Sequence, residues 1–143
     1  MAFAQVNFVS IVIAAVAAWI FGAVYYGALG KAWVEAQGKT LEAFKQEQAA
    51  KVGSLAGMVP FLLTFVAELV IAYALYGLLL HIGQFTIRAG LVSAAFCWFG
   101  FVLTTIAVNN VFSGRRWLLT AIDAGGWLGA FAIIGAIIGA MGP

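Results

Sequence analysis

The chain has 143 residues, of which 65% are hydrophobic and only 8% are charged. A soluble domain of ordinary composition carries about a quarter charged residues, so this composition excludes a water-soluble core and predicts a protein whose surface is covered by lipid. The net charge of +2 comes with no long basic stripe, and we expect no nucleic-acid partner. The single cysteine, Cys97, lies in an apolar run and has no partner for a disulfide.

Four apolar segments are long enough to cross a membrane as helices. Such a helix needs about 20 mainly apolar residues, and the segments lie at about 8–29, 55–80, 87–112 and 118–141. The last two connections are short, which favours antiparallel neighbours. The unbroken apolar runs lack the alternation of a membrane β-barrel. We predict one all-α domain over residues 1–143, an antiparallel four-helix membrane bundle.

The polar connection at about 30–54 predicts a short amphipathic helix on the inner membrane surface, between the first and second spans. Thr40 is placed as its N-cap. Its "GKT" at 38–40 resembles the end of a phosphate-binding loop, but Trp33 stands where the loop needs glycine, so no nucleotide is expected. The residues spaced for one apolar face of this helix are Leu41, Phe44, Gln48 and Val52.

Basic residues predict the orientation of the chain. Cytoplasmic connections carry an excess of lysine and arginine, and the opposite face of this bundle has only Arg88. We therefore expect a bacterial inner-membrane protein with both termini on the periplasmic side. The basic residues of the first and third connections are Lys31, Lys39, Lys45, Lys51, Arg115 and Arg116.

Small residues form a stripe along the first and the last span. Small residues allow helix backbones to approach closely in lipid. Packing inside the bundle explains both stripes, because every helix must bury one face; a homodimer interface or a docking face for a larger complex is the alternative. The stripes are Ser10, Ala14, Ala18 and Gly22, and Gly125, Gly129, Ala132, Ala136 and Gly139.

Glu68 lies in the middle of the second apolar segment, roughly 20 Å from its inner end. An ionisable group at that depth is costly and indicates a functional site by default. Thr64 lies one turn away, and Trp98 of the third span comes level with it. These three residues form a candidate mid-membrane site, which either takes up a proton or makes a structural hydrogen bond. His81 lies at the outer end, so no metal site is expected.

Asp123 lies under about 10 Å from the inner end of the last span. We expect it to pair with an arginine and to bond neighbouring amides or a tyrosine, as a structural clasp rather than a functional site. On the third span, Trp98, Val102, Thr105 and Asn109 are spaced to share one face. The candidate inner-end cluster consists of Tyr26, Lys31, Asn109, Asn110, Arg115, Arg116 and Asp123.

Catalysis has little support in the sequence. The serines have no histidine at a matching depth to act as a base, and no cofactor fingerprint is present. We expect neither an enzyme nor a bound cofactor.

Two motifs resemble a known family. "FGAVYYGALGKAW" and "NNVFSGRRWLLTAIDAGGW" resemble the bacterial four-helix membrane family catalogued as domain of unknown function 1761, over nearly the whole chain. The resemblance implies a small multi-pass membrane protein, no established activity and no catalytic residue. The resemblance implies an aromatic residue directly after Asp-Ala-Gly, but in the "AGGW" of this chain that position is Gly126. The matching positions are Asn7, Gly22, Tyr26, Lys31, Trp33, Asn110, Phe112, Arg116, Asp123 and Gly125.

Two functions remain open at this point. The first is a structural or accessory subunit that packs beside itself or beside a larger membrane complex. The second is a small dimeric proton-linked transporter in which Glu68 titrates.

Overall fold

The computed structural model describes residues 6–143, which contain helices and no strand. Four spans are long and apolar enough to cross a membrane, as the sequence predicts: Phe8–Ala28, Leu55–Ile82, Ile87–Phe112 and Trp117–Met141. The all-α four-helix membrane arrangement is therefore confirmed. The helices are α1 (Phe8–Ala28), α2 (Gly30–Ala36), α3 (Leu41–Lys51), α4 (Leu55–Ile82), α5 (Ile87–Cys97), α6 (Thr104–Phe112) and α7 (Trp117–Met141), with a π-helical segment at Trp98–Leu103.

Hydroxyl and amide side chains start four of the helices. The Thr40 side chain accepts a hydrogen bond from the amide of Ala43, as its predicted N-cap role requires. Ser54 and Thr86 cap α4 and α5 in the same way, and Asn7 caps α1. Gly83 ends α4 with a φ of 74°, a conformation that side chains other than glycine adopt at a cost. Local sequence signals thus mark the start of four helices and the end of α4.

The last span lies at the centre of the bundle. α7 contacts α1, α4 and α5, whereas α1 and α5 do not contact each other along the part of the chain that the structure describes. In the most apolar stretch of each span, 44% of residues are buried in α7 but only 6% in the third span. The third span is therefore held mainly on one side and is otherwise open to lipid.

Glycines bring α5 and α7 into backbone contact. A Cβ atom on Gly90 would collide with the carbonyl oxygen of Gly135, and one on Gly139 with the carbonyl oxygen of Thr86. The other predicted glycines of α7 face α1, where Phe21 lies against Gly129. The predicted α7 stripe is thus divided between two neighbouring helices.

The remaining small residues of the two stripes differ in burial. Ser10, Ala14 and Ala18 are buried in the α1 interface, while a Cβ on Gly22 would meet nothing. On α7, Gly125 lies under the Tyr25 hydroxyl, and Ala132 and Ala136 are half-buried.

The π-helical segment changes which face of the third span points inward. A π-helix hydrogen-bonds one residue further along than an α-helix does, so it acts as a one-residue insertion. The predicted common face of Trp98, Val102, Thr105 and Asn109 is therefore wrong. Thr105 and Asn109 are exposed, and the next residue, Asn110, is the half-buried one.

The second and third spans diverge from about the middle of the membrane. Over the described residues α4 contacts α5, but neither the π-helical segment nor α6. In this half of the bundle α4 packs against α1. The Trp19 indole donates to the Phe61 carbonyl at 3.1 Å, and the Trp19 and Phe65 ring centroids lie 5.8 Å apart. The half of the bundle that carries α2, α3 and the α6–α7 connection is the lysine-rich end.

The polar connection holds two helices rather than one. α2, which the sequence did not predict, packs against α7, whereas α3 has no buried residue. On the predicted apolar face of α3, Leu41 and Phe44 are half-buried, but Gln48 and Val52 are exposed. The amphipathic interpretation therefore holds for the first turn of α3 only.

Candidate polar sites in the bundle

Asp123 is the centre of a hydrogen-bonded node at the lysine-rich end. Its Oδ1 atom accepts from the Tyr26 hydroxyl at 2.9 Å and from the Trp33 indole at 3.1 Å. Beside it, the Tyr25 hydroxyl donates to the Ile122 carbonyl at 2.7 Å. Three aromatic donors from α1 and α2 thus bind consecutive residues of α7.

Helix α2 brings Trp33 to this node. Leu29 separates α1 from α2, in which Val34 and Ala36 are buried, and Ala36 packs with Leu119 and Ile122 at the start of α7. The Tyr26 and Trp33 rings meet edge to face, with centroids 5.7 Å apart, a geometry that aromatic pairs favour. The Phe44 ring of α3 also meets the Trp33 ring edge to face, with centroids 5.7 Å apart. The ring contacts therefore join α1, α2 and α3, and the hydrogen bonds to Asp123 join α1 and α2 to α7.

The predicted ion pair between Asp123 and an arginine does not form. Arg116 lies seven residues earlier in the chain, about 10 Å nearer the membrane surface by helical rise. Its guanidinium instead donates to the Glu35 carbonyl at 3.1 Å. Arg115 is exposed and makes no side-chain hydrogen bond or ion pair within residues 6–143. Neutral aromatic donors hold the aspartate in place of a cation.

The other predicted members of the inner-end cluster lie around the node without touching Asp123. The Asn110 amide donates to the Thr120 hydroxyl at 3.0 Å. Lys31 pairs with Glu35 at 3.9 Å, on an exposed face. Asn109 is exposed and makes no side-chain hydrogen bond to any residue between 6 and 143. The sequence reasoning omitted Trp33 from the cluster, although the family motif contained it.

Glu68 is isolated at the middle of the membrane. It is 2% exposed, and its Oε2 atom has no hydrogen-bond partner in the described part of the chain. The Thr64 hydroxyl donates back to the Pro60 carbonyl at 2.8 Å, and the Trp98 indole donates to the Ala124 carbonyl, also at 2.8 Å. Because the Thr64 hydroxyl and the Trp98 indole donate to backbone carbonyls, neither donates to Glu68, and the three residues do not form a hydrogen-bonded site.

A second node, missed by the sequence reasoning, ties together the opposite end. The backbone amide of Asn7 donates to the hydroxyl of the buried Tyr76, at 3.1 Å. Its side chain accepts from the Ser10 amide and donates to the Gly142 carbonyl at 3.4 Å. One asparagine thus links α1 to α4 and to the end of α7. The asparagine that opens the first helix in the family motif was the available signal.

Within residues 6–143 no three His, Cys, Asp or Glu side chains stand close enough together to hold a metal ion. The arrangement instead offers one isolated carboxyl group in mid-membrane and two hydrogen-bonded nodes at the ends.

Comparison with known proteins identifies the family of this chain. The family described as "Protein of unknown function (DUF1761)" matches residues 9–139, a range that includes the second and third spans, nearly all of the first and last spans, and both aromatic donors to Asp123. No curated protein and no solved structure matches the chain. The chain therefore belongs to the DUF1761 family of proteins of unknown function.

Proposed function

We propose that this multi-pass membrane protein is an accessory subunit, which binds a transmembrane helix of another subunit along its third span. The proposal assigns the chain no catalytic step and no cofactor. It places the binding surface on α6, where the π-helical segment turns polar side chains away from the bundle.

The observation that carries the proposal is the outward pair Thr105 and Asn109. These residues lie four apart in α6 and so share one helix face. Both are exposed, and neither side chain makes a hydrogen bond within the described part of the chain. In lipid, hydroxyl and amide side chains commonly bond to a neighbouring helix. A partner helix with a polar group at this level would satisfy them.

The depth of Thr105 separates a partner helix from lipid head groups. Thr105 lies seven residues from the end of α6 at Phe112, about 10 Å by helical rise, which is deeper than a head group reaches. In the described part of the chain α4 makes no contact with α6, so α4 does not cover this face. Phe101, four residues before Thr105, is 72% exposed. Aromatic anchors around a few polar groups are typical of binding surfaces.

The test replaces the two side chains by apolar ones of similar size, Thr105→Val and Asn109→Leu. We expect the double variant to lose a cross-link that a photoreactive residue at Val108 of α6 forms in native membranes. Thr104→Val is the matched control, because the Thr104 hydroxyl is already bonded to the Gly100 carbonyl at 2.9 Å. A cross-link that is absent in the wild type, or that survives the double variant, contradicts the proposal.

The mass of the cross-linked product identifies the partner. A product of twice the mass of the 15.1 kDa chain is a homodimer, and any other mass is a different subunit. A photoreactive residue at Val9 of α1, which is 64% exposed, reports random collisions in the same membrane. Equal yields from the two positions would remove the support for a specific surface.

A second candidate function is favoured by Glu68. A carboxyl oxygen buried without a partner costs free energy, and a purely structural bundle has no need of it. In a small dimeric proton-linked transporter this group would bind and release the coupled proton. Glu68→Gln keeps the shape and removes the titration, so proton-driven uptake into vesicles should cease. Unchanged uptake by this variant would exclude the transporter.

The proposed location is the bacterial inner membrane, with the lysine-rich end in the cytoplasm. The excess of lysine in the first connection supports this orientation. In a Cys97→Ser background, a cysteine at Lys39 should be shielded from an impermeant thiol reagent in intact cells. A cysteine at Gln84, in the connection on the opposite face, should be labelled. The reverse pattern would overturn the orientation.

A further inference from the structure

An open groove of about 390 Å³ lies at the lysine-rich end, between α1, the end of α3 and the start of α4. Ligand pockets in proteins begin at about 300 Å³. From its rim the groove extends down to Trp19, which lies nine residues from the end of α1, or about 14 Å by helical rise. The lining residues used below are Trp19, Lys51, Val52, Met58, Phe61 and Leu62.

The turn between α3 and α4 is built to keep the rim in place. Gly53 takes a φ of 75°, which lets the chain reverse after α3. The Ser54 hydroxyl donates to the Lys51 carbonyl at 2.6 Å and accepts from the Gly57 amide at 3.3 Å. A Cβ atom on Gly57 would lie 2.6 Å from the same carbonyl oxygen, so only glycine allows this contact. The end of α3 is thereby fixed against α4.

Of the residues that line the groove, Lys51 at the rim is the charged one, and the floor is apolar. Lys39 pairs with Glu47 at 3.0 Å, and Lys31 with Glu35. Lys51 forms no ion pair with any residue between 6 and 143, and it lies beside the first turn of α4. The amide groups of a first turn have no acceptor in their own helix and favour a negative charge.

We infer that this groove binds one anionic phospholipid, with the phosphate at Lys51 and one acyl chain along Met58, Phe61 and Leu62 towards Trp19. Charge complementarity selects the lipid, because the Lys51 ammonium has no acidic partner within residues 6–143 and lies at the end of the bundle, at the level of the head groups. Basic pockets between helices are a known way to hold anionic head groups. The groove lies between α1 and α4, so this lipid does not compete for the α6 surface.

The experiment counts lipids retained by the full-length protein. Detergent-purified protein is titrated with phosphatidylglycerol or with phosphatidylcholine, and bound lipids are counted by native mass spectrometry. We expect the first phosphatidylglycerol to bind more tightly than phosphatidylcholine. Lys51→Gln should weaken that binding about fivefold, the effect of one lysine at an anionic surface. Lys45→Gln removes the same charge from α3, away from the groove, and should leave the affinity unchanged.

A second pair of variants tests the acyl-chain part. Leu62→Trp fills the floor and should abolish the tight phosphatidylglycerol site, whereas Leu63→Trp, on an exposed position outside the groove, should not. Equal affinity for both lipids, or equal losses from Lys51→Gln and Lys45→Gln, would overturn the inference and leave only general attraction to the lysine-rich end. Circular dichroism of each variant verifies that the helices remain folded.

Discussion

Replacing Asp123 with alanine tests whether its node holds the lysine-rich end together. Asp123→Ala removes the acceptor that the Tyr26 hydroxyl and the Trp33 indole share. It leaves two half-buried donors without a partner, and it frees α2, whose indole makes this bond to α7. Asp123→Asn keeps a carbonyl oxygen at the same position but removes the negative charge.

The expected loss follows from two scales. A hydrogen bond to a charged group contributes about 1.5–3 kcal/mol in soluble proteins, whereas bonds between membrane helices average about 0.6 and reach about 1.7 kcal/mol. The node lies near the membrane surface, where water reaches the freed donors in part, so we take about 1 kcal/mol for each of the two bonds. Asp123→Ala should therefore lower the free energy of unfolding by about 2 kcal/mol, and Asp123→Asn by about half of that.

The assay is reversible unfolding in mixed micelles by sodium dodecyl sulfate, followed by circular dichroism. Tyr26→Phe is measured alone and in the Asp123→Ala background, so that the double-mutant cycle isolates the bond between them. In the alanine background the loss of the Tyr26 hydroxyl should have no further effect. The node would be refuted as a stabilising contact if Asp123→Ala unfolded within about 0.5 kcal/mol of the wild type, the range of ordinary surface substitutions.

Three further substitutions have matched controls. Gly90→Ala should destabilise by about 1–3 kcal/mol, because its Cβ falls on the α7 backbone, whereas Gly100→Ala meets open space and should not; equal unfolding midpoints would contradict the close contact. Trp98→Phe should lose about 1 kcal/mol with its indole hydrogen bond, and Trp117→Phe, which is 72% exposed, should lose none in the same assay. Glu68→Leu should raise the free energy of unfolding by about 1–3 kcal/mol, because it removes a buried oxygen without a partner; a less stable variant would show that the carboxyl group is bonded.

The spans were predictable because lipid imposes a simple rule on length and hydropathy. Every backbone group inside the membrane must be bonded within its own segment, so a long apolar run has to be a helix. The caps at Thr40, Ser54 and Thr86 likewise follow from local chemistry, since each hydroxyl bonds an amide three residues on. These properties depend on neighbours in the sequence and need no knowledge of tertiary contacts.

The face of the third span was not predictable, because a regular helical period was assumed along its whole length. No proline or polar residue within "WFGFVL" marks the π-helical segment. Its effect appears one turn later, where Asn110 bonds to Thr120 and Asn109 turns outward. Because Asn109 and Asn110 are adjacent, the sequence does not show which of them faces the bundle, and the shift of one residue leaves no visible sign.

The partners of Asp123 were mistaken for a related reason. Counting charges favours an arginine, but the geometry is decided by α2, a helix of seven residues that is too short for a clear periodic signal. Once α2 packs on α7, the Trp33 indole reaches the carboxylate, and Arg116 is left at the surface. The neutral Trp33 indole, which lies at the depth of Asp123, thus bonds the carboxylate in place of the Arg116 guanidinium, which lies nearer the membrane surface.

Replacing Glu68 distinguishes a contribution to stability from a contribution to function. Its orphan oxygen lies beside the level where α4 and the third span part, and where the π-helical segment begins. π-Helical turns are frequent at functional sites, and residues kept at the expense of stability are the expected signature of function. If Glu68→Leu is more stable and still cross-links through α6, the carboxyl group serves something other than assembly, which favours proton binding. If the variant is more stable but no longer cross-links, the same carboxyl group controls the packing of the third span, and the accessory role alone accounts for it.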